Sequence, residues 1–157
     1  MNNISVRPLL PSDADSTADI FLRAIREVAA KDYSPGQINA WAQIDDRATW
    51  ANRRASRAAW IAELEYKAVG FTDLVLDGYL DMMFVHPEYQ GLGVASLLLE
   101  QVEQKARELG LNRIHTKASI TARPFFERRG FRVLKSQQVK KRGETLSNFI
   151  MDKGLVA

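Results

Sequence analysis

The spacing of apolar residues changes along the chain, and each change marks a new element. Ile4 and Val6 alternate with polar neighbours ahead of Pro8, which predicts a short strand. Ser12 and Asp15 have the form of a capping box, with Asp in place of the usual Glu or Gln. After it, Phe21, Ala24, Ile25 and Val28 fall on one helical face. Ser34-Pro35 opens a second helix carrying Ile38 and Trp41, because Pro suits a first helical position. Asp45 to Ser56 reads as a third helical piece. The period then shortens to two. Ala58 to Glu65 and Ala68 to Leu76 read as strands joined at Tyr66-Lys67, and the tight-turn pair Asp77-Gly78 sends Tyr79 to Val85 back antiparallel. Helical spacing returns with Leu98, Leu99, Val102, Ala106 and Leu109; Glu103 and Arg107 pair on the other side, and Gly110 ends the run. Arg113 to Ala118 reads as a strand and Thr121 to Arg129 as a helix closed by Gly130. Phe131 to Val139 and Thr145 to Met151 make a last hairpin. No linker or repeat divides residues 1–157, so the expectation is one mixed α/β domain.

Composition narrows the function classes. At 46% hydrophobic and 26% charged, the chain has the balance of an ordinary globular domain. It has no cysteine, which excludes a disulfide scaffold, thiol catalysis and Cys-ligated zinc. Two His residues far apart, without carboxylate spacing, argue against a metal site. Met1-Asn2-Asn3-Ile4-Ser5 lacks the regions of a signal peptide and no apolar run approaches a membrane span, so a cytoplasmic setting without a membrane partner is expected. A net charge of +3 rests on two dense basic clusters, Arg53-Arg54 with Arg57 and Lys140-Lys141-Arg142. Both read as solvated surface, a helix face and a hairpin, and not as a nucleic-acid footprint. Trp41, Trp50 and Trp60 read as core or lid packing, and Glu27, Asp32, Asp45 and Asp46 as surface carboxylates.

Chemistry concentrates between Val85 and the long helix, in Gln90-Gly91-Leu92-Gly93-Val94-Ala95. Two glycines one residue apart let backbone approach a ligand without a Cβ in the way. The helix that follows offers unpaired N–H groups and the positive end of its dipole to a phosphate. No Gly-Lys-Ser/Thr closes the loop as in a P-loop, and Ser96 stands where a Rossmann fingerprint has its third glycine.

The segment from Phe84 to Ala95 resembles the coenzyme A motif of the GNAT acetyltransferase superfamily, whose pattern Gln/Arg-x-x-Gly-x-Gly/Ala is matched by Gln90, Gly93 and Ala95. A second landmark, Ala122-Arg123-Pro124-Phe125-Phe126-Glu127-Arg128-Arg129-Gly130-Phe131, is similar to the family's Ala-x-x-Phe-Tyr-Glu-x-x-Gly-Phe, with Phe126 in the tyrosine's place. The resemblance implies a central mixed, mostly antiparallel sheet flanked by helices. It implies acetyl transfer from acetyl-CoA, as co-substrate and without a metal, to a primary amine of a small molecule or peptide. Gln90 to Ser96 would hold the pyrophosphate, and Met83, Phe84 and Val85, with Ser119 and Phe126, the pantetheine arm.

The resemblance places an oxyanion donor at the Met83 backbone N–H. It places a proton acceptor at Asp81 or Tyr79, which strand alternation sets on one face with Met83. Asp81 could equally pair with an arginine and be structural. A phenyl ring at position 126 carries no proton for the leaving thiolate, and Ser119 stands where many relatives have asparagine. Tyr33, on the segment that covers the acceptor side in this fold, is a candidate source of a hydroxyl; His115, mid-strand, reads as structural. The missing tyrosine also suits a second class of function, an acyl-CoA-binding sensor without catalysis. The C-terminal hairpin offers a surface through which a second copy could pair.

Overall fold

The computed structural model describes residues 3–156; Met1 and Asn2, from the opening read for a signal peptide, and Ala157 lie outside the described residues. The chain runs β1 (Ile4–Pro8), α1 (Ala14–Glu27), α2 (Pro35–Trp41), α3 (Arg47–Ala55), β2 (Ala58–Leu64), β3 (Lys67–Leu74), β4 (Tyr79–Leu80) and β5 (Met83–Val85). It continues through α4 (Val94–Glu108), β6 (Arg113–Ser119), α5 (Arg123–Arg128), β7 (Arg132–Lys141) and β8 (Glu144–Gly154). The strands form two four-stranded sheets, ordered β1-β2-β3-β5 and β4-β6-β8-β7. All pairs are antiparallel except β4 with β6. The expected mixed, mostly antiparallel architecture is therefore present.

Helices cover both faces of the first sheet. Ile20, Phe21 and Ile25 of α1 pack with Ile38, Trp50 and Phe71 on one side. On the other, Val94 and Leu98 of α4 pack with Ala62 and Val69. Gly70 makes that second contact close: a Cβ there would stand 2.7 Å from Val94 Cγ1 and 3.2 Å from Leu98 Cδ1. Leu99, Val102 and Ala106 continue into a third cluster with Leu80, Ile114, Phe126, Phe131 and Met151, beneath the second sheet.

Local expectations meet three corrections. The Ser12–Asp15 capping box does not form, because Pro11–Asp13 makes a 3₁₀ turn and α1 begins at Ala14. Asp13 accepts the Leu10 N–H at 2.7 Å, which closes that turn, and pairs with Arg7 at the end of β1 at 2.8 Å. The β2–β3 turn is made by Glu65 and Tyr66, both at positive φ, so the strands are offset by a residue from the expected join.

The third correction matters most. Tyr79 to Val85 is not one strand but two, interrupted at Asp81-Met82 and belonging to different sheets. The Val75–Gly78 turn returns the chain as expected, with Gly78 N–H on Val75 O at 2.9 Å. Val75 N–H then bonds Tyr79 O, while Asp73 N–H bonds Met82 O. Two steps along β3 are matched by three along the returning chain, which is a β-bulge. An extra residue reverses the facing of everything before it. Met82 and Phe84 thus pack toward α1, while Met83 packs toward α4, as Leu80 does from the other sheet. Tyr79, Asp81 and Met83 therefore do not share one face by alternation.

Candidate functional site

The bulge opens a cleft. Beyond it β5 is the edge of the first sheet, and β4 has moved to the edge of the second. His86 N–H bonds Val69 O at 2.8 Å and Asp73 N–H bonds Met82 O at 3.1 Å, which fixes the bonded pairs across β3 and β5. Met83 and Val85, one residue out of phase, turn their N–H and C=O groups away from β3 and into the cleft. From that side the Gln90 side-chain amide donates to the Val85 carbonyl at 3.0 Å.

What holds the bulge is a buried carboxylate. Asp73 Oδ1 accepts from the Asp81 N–H at 3.1 Å and from the Met82 N–H at 3.0 Å. Its Oδ2 faces Arg54 at 3.6 Å and Arg57 at 3.3 Å. Burial pushes the Asp73 carboxyl up, while the Met82 N–H and the two guanidiniums pull the other way. Arg57 also bonds Asp81 Oδ2 at 2.6 Å. Arg54, read from the sequence as solvated, is 1% exposed and lies over the Trp50 ring at 4.4 Å. A charge run shows neither which of its members turns inward nor that a carboxylate waits there.

The glycine loop forms the cleft's floor at the helix end. Pro87–Tyr89 makes a 3₁₀ turn, Gln90 is extended, and Gly91 and Gly93 have φ of 76° and 85°. Gly93 is the N-cap of α4 in the left-handed region, with no side chain closing the cap. The first N–H groups of α4 are therefore without side-chain partners from their own cap. The Ser96 hydroxyl, on the first turn, is hydrogen-bonded by Arg129, whose guanidinium lies 5.4 Å from the Phe125 ring.

A cavity of about 600 Å³ runs from this loop along β5 to α5, lined by Met83, Val85, Gly91, Gly93, Ser96 and Arg129 among others. A second, of about 400 Å³, lies under α1 and α2, with Phe21, Tyr33, Tyr79, Asp81, Leu146 and Asn148 in its wall. Trp41, Met83, Phe84, Ser119, Ala122 and Phe126 line both. The two spaces meet beside the free edge of β5. Of the positions singled out in the sequence, Met83, Phe84, Val85, Gln90, Gly91, Gly93, Val94, Ala95, Ser96, Ser119 and Phe126 line the first cavity. Leu92 does not; its side chain is an exposed apolar group of the loop.

The candidate proton carriers are held in different ways. Tyr33 is 8% exposed, donates its hydroxyl proton to Ser147 O at 2.7 Å and accepts the Ile120 N–H at 2.9 Å. That hydroxyl ties the covering segment to β8 and to the end of β6; burial pushes the phenol above its usual range. Burial and the adjacent Asp81 carboxylate raise the Tyr79 phenol as well, and its ring stacks on His115 at 5.4 Å. Phe126 is 3% exposed and packs edge-on against Phe125 and Phe131. No group of His and acidic residues able to hold a metal occurs among the described residues. No described helix is long and apolar enough to cross a membrane.

Comparison with known proteins agrees with this geometry. Residues 29–152 match the model of the acetyltransferase (GNAT) domain. The chain is 44% identical over 151 residues to the uncharacterized N-acetyltransferase YafP of Escherichia coli K12, covering 96% of each. It superimposes with a TM-score of 0.95 on a GCN5-related N-acetyltransferase from Rhodopseudomonas palustris, at 38% identity over 99% of this chain and 98% of that one. A PaiA N-acetyltransferase from Thermoplasma acidophilum, solved in complex with coenzyme A, shares the fold with a TM-score of 0.80 at 18% identity, covering 98% of this chain and 99% of the other. The chain belongs to the GNAT acetyltransferase family, and is an N-acetyltransferase of that class.

Proposed function

We propose that the protein moves an acetyl group from acetyl-CoA to a primary amine of a small molecule or peptide. The observation that carries this reading is the meeting of two cavities at the free edge of β5, where Met83 and Val85 turn their backbone groups into the cleft. Fit of the cofactor rests on backbone. Gly91 and Gly93 have positive φ and open space around them, and the first turn of α4 presents its N–H groups there, a cradle for a pyrophosphate. Met83 and Val85 offer strand-edge groups to the amide-bearing arm, in the manner of an added strand. Met83 N–H donates to the carbonyl oxygen of the thioester as negative charge builds on it. Acetyl-CoA supplies an acyl group on a thiol of reference pKa about 8.5, a leaving group that needs little assistance.

In the reaction the amine nitrogen bonds to the acyl carbon and the C–S bond breaks. The proton lost from nitrogen goes to Asp81, the only carboxylate among the described residues that line the acceptor cavity. Arg57 holds Asp81 Oδ2, which leaves Oδ1 as the receiving atom. The thiolate takes its proton from water, since Phe126 has none and the Tyr33 hydroxyl is committed on both sides.

Asp81→Asn tests this directly. With acetyl-CoA and an accepted amine, thiol release should fall about a hundredfold and lose the acidic limb of its pH profile. Coenzyme A affinity should be unchanged. Wild-type turnover across pH would remove Asp81 from the reaction. Coenzyme A binding without thiol release for any amine would favour a sensor, which the lack of a hydroxyl at Phe126 suits.

A further inference from the structure

The acceptor cavity has a charge pattern of its own. Its charged lining residues are Asp81 and three lysines, Lys117, Lys140 and Lys141. Asp81 is already ion-paired with Arg57 at 2.6 Å. None of the three lysines forms an ion pair or side-chain hydrogen bond to a described carboxylate, although most arginines here do. Lys117 has only the face of Tyr79, at 5.7 Å. Strand alternation puts Lys141 on the face of Val139, whose side chain packs against the α1 and α2 cluster. Lys117 stands across from Ile150, two residues along β8 from Asn148 and on the same face. A cavity for a simple cationic amine would show the opposite sign.

Between these lysines and the cofactor cleft lies an unexplained polar atom. Asn148 Oδ1 is buried and has no hydrogen-bond partner. It lines the acceptor cavity and sits across from Ser119, which lines both cavities. A buried acceptor left unpaired costs on the order of 1–3 kcal/mol, so a group that donates to it has something to gain. The remaining wall combines aromatic rings, Phe21, Tyr33, Trp41, Tyr79 and Phe84 among them, with aliphatic side chains such as Leu80 and Leu146.

We propose that the acceptor is an amine that also carries an acidic group, a carboxylate or phosphonate, on an apolar or aromatic body. Asn148 Oδ1 takes an N–H of the amine beside the cleft, the aromatic wall holds the body, and Lys117 and Lys141 take the acid. This rests on the acetyl-transfer reading for the site but concerns binding alone, so the two can be separated by experiment.

The test uses matched primary amines that differ in the acid: phenylalanine against phenethylamine, and 4-(aminomethyl)benzoate against benzylamine, with the phosphonate analogue of phenylalanine. Binding to the coenzyme A-loaded protein is read by calorimetry, and transfer by thiol release from acetyl-CoA. The acidic member should be preferred at least tenfold, and less so as salt is raised. Lys117→Gln and Lys141→Gln should each raise KM five- to tenfold with kcat little changed, the mark of lost ground-state binding. Asn148→Leu should abolish binding of the amine while coenzyme A still binds. Preference for the uncharged members, lysine variants without effect, or no binding by any acid-bearing amine would overturn the proposal. Acid-selective binding without thiol release would keep it and refute acetyl transfer; thiol release indifferent to the acid would do the reverse.

Discussion

The two sides of the cleft are built from different material. On the side proposed for the cofactor the groups are main chain: two glycines at positive φ, the open first turn of α4, and the edge of β5. On the acceptor side they are side chains brought together from α1, α2, the β4–β5 segment and the C-terminal hairpin. Main-chain sites depend on local conformation, which a short motif can specify. Side-chain sites depend on which distant strands meet. One side can therefore stay constant while the other is rebuilt for a different acceptor. The join between them is the bulge at Asp81-Met82, and Asp73 holds it from below.

The comparison breaks first at that join. Asp73→Ala removes the acceptor of two backbone N–H groups and strands Arg54, 1% exposed, without its counter-charge. Breaking a buried pair in this way costs about 3–5 kcal/mol. Chemical denaturation should show a loss of that order, and both coenzyme A binding and turnover should weaken in whatever remains folded. A loss under about 1 kcal/mol would mean the bulge is set by packing and not by the carboxylate.

Gly93→Val separates the sides. A Cβ at residue 93 meets nothing within 4 Å, so crowding is not the obstacle. The obstacle is a φ of 85°, where an L-residue pays roughly 1–2 kcal/mol and a β-branched one fares worst. The loop should shift to relieve it. Coenzyme A affinity should drop at least tenfold by calorimetry, with the acceptor cavity and the rest of the fold intact. Unchanged affinity in a folded variant would exclude this loop as the phosphate site.

The same contrast explains what could be read in advance. The glycine loop, its helix and the Val75–Gly78 turn were legible because each is encoded within a few residues. The bulge was not, because Tyr79 to Val85 alternates plausibly as one strand and the agent that interrupts it, Asp73, lies on another. Arg54 and Arg57 looked like surface charge for the same reason: their partners are 16 or more residues away. The lysines of the hairpin turned out to border a cavity only because α1 and α2 roof that face. One signal was available: an aspartate amid Val69, Phe71 and Leu74 is costly unless something pairs with it.

Phe126→Tyr probes the boundary where the cavities meet, with a smaller effect. The ring packs against two phenylalanines yet lines both spaces. With its edge toward the cleft, an added hydroxyl should reach the leaving sulfur's side and water. Stability should stay within about 1 kcal/mol and thiol release should rise roughly threefold to tenfold, a modest gain for assisting an already good leaving group. A loss of about 1–3 kcal/mol without a rate gain would place the ring's edge in the core, where the hydroxyl goes unsatisfied.

The smallest effect expected is one of pH, and it belongs to the cofactor side alone. His86 links β5 to the glycine loop and is 2% exposed. Its Nδ1 accepts the Glu88 N–H at 3.1 Å, and its Nε2 lies 2.9 Å from Arg23 Nη1. Burial first, then Arg23 and Lys67, hold the imidazole below its ordinary 6.5. In the unfolded chain the ring takes up a proton as pH falls through 6.5, while the folded protein resists doing so. The unfolded state then binds more protons, so stability declines with falling pH from about 6.5 down to the lower folded value. Carboxylates held low, such as Asp13 and Asp152, begin to lose their contribution only nearer their ordinary 3.8, and Asp73, pushed up, acts with the opposite sign. Between pH 7 and 5 the contribution of His86 is therefore read as the difference in slope between the wild type and a variant that lacks the imidazole, Asp73 being common to both. His86→Gln keeps an acceptor for the Glu88 N–H but cannot titrate, so its melting temperature should be flatter than the wild type's across that window. Equal slopes would show that the loop's anchor is insensitive to protons there and that another group titrates.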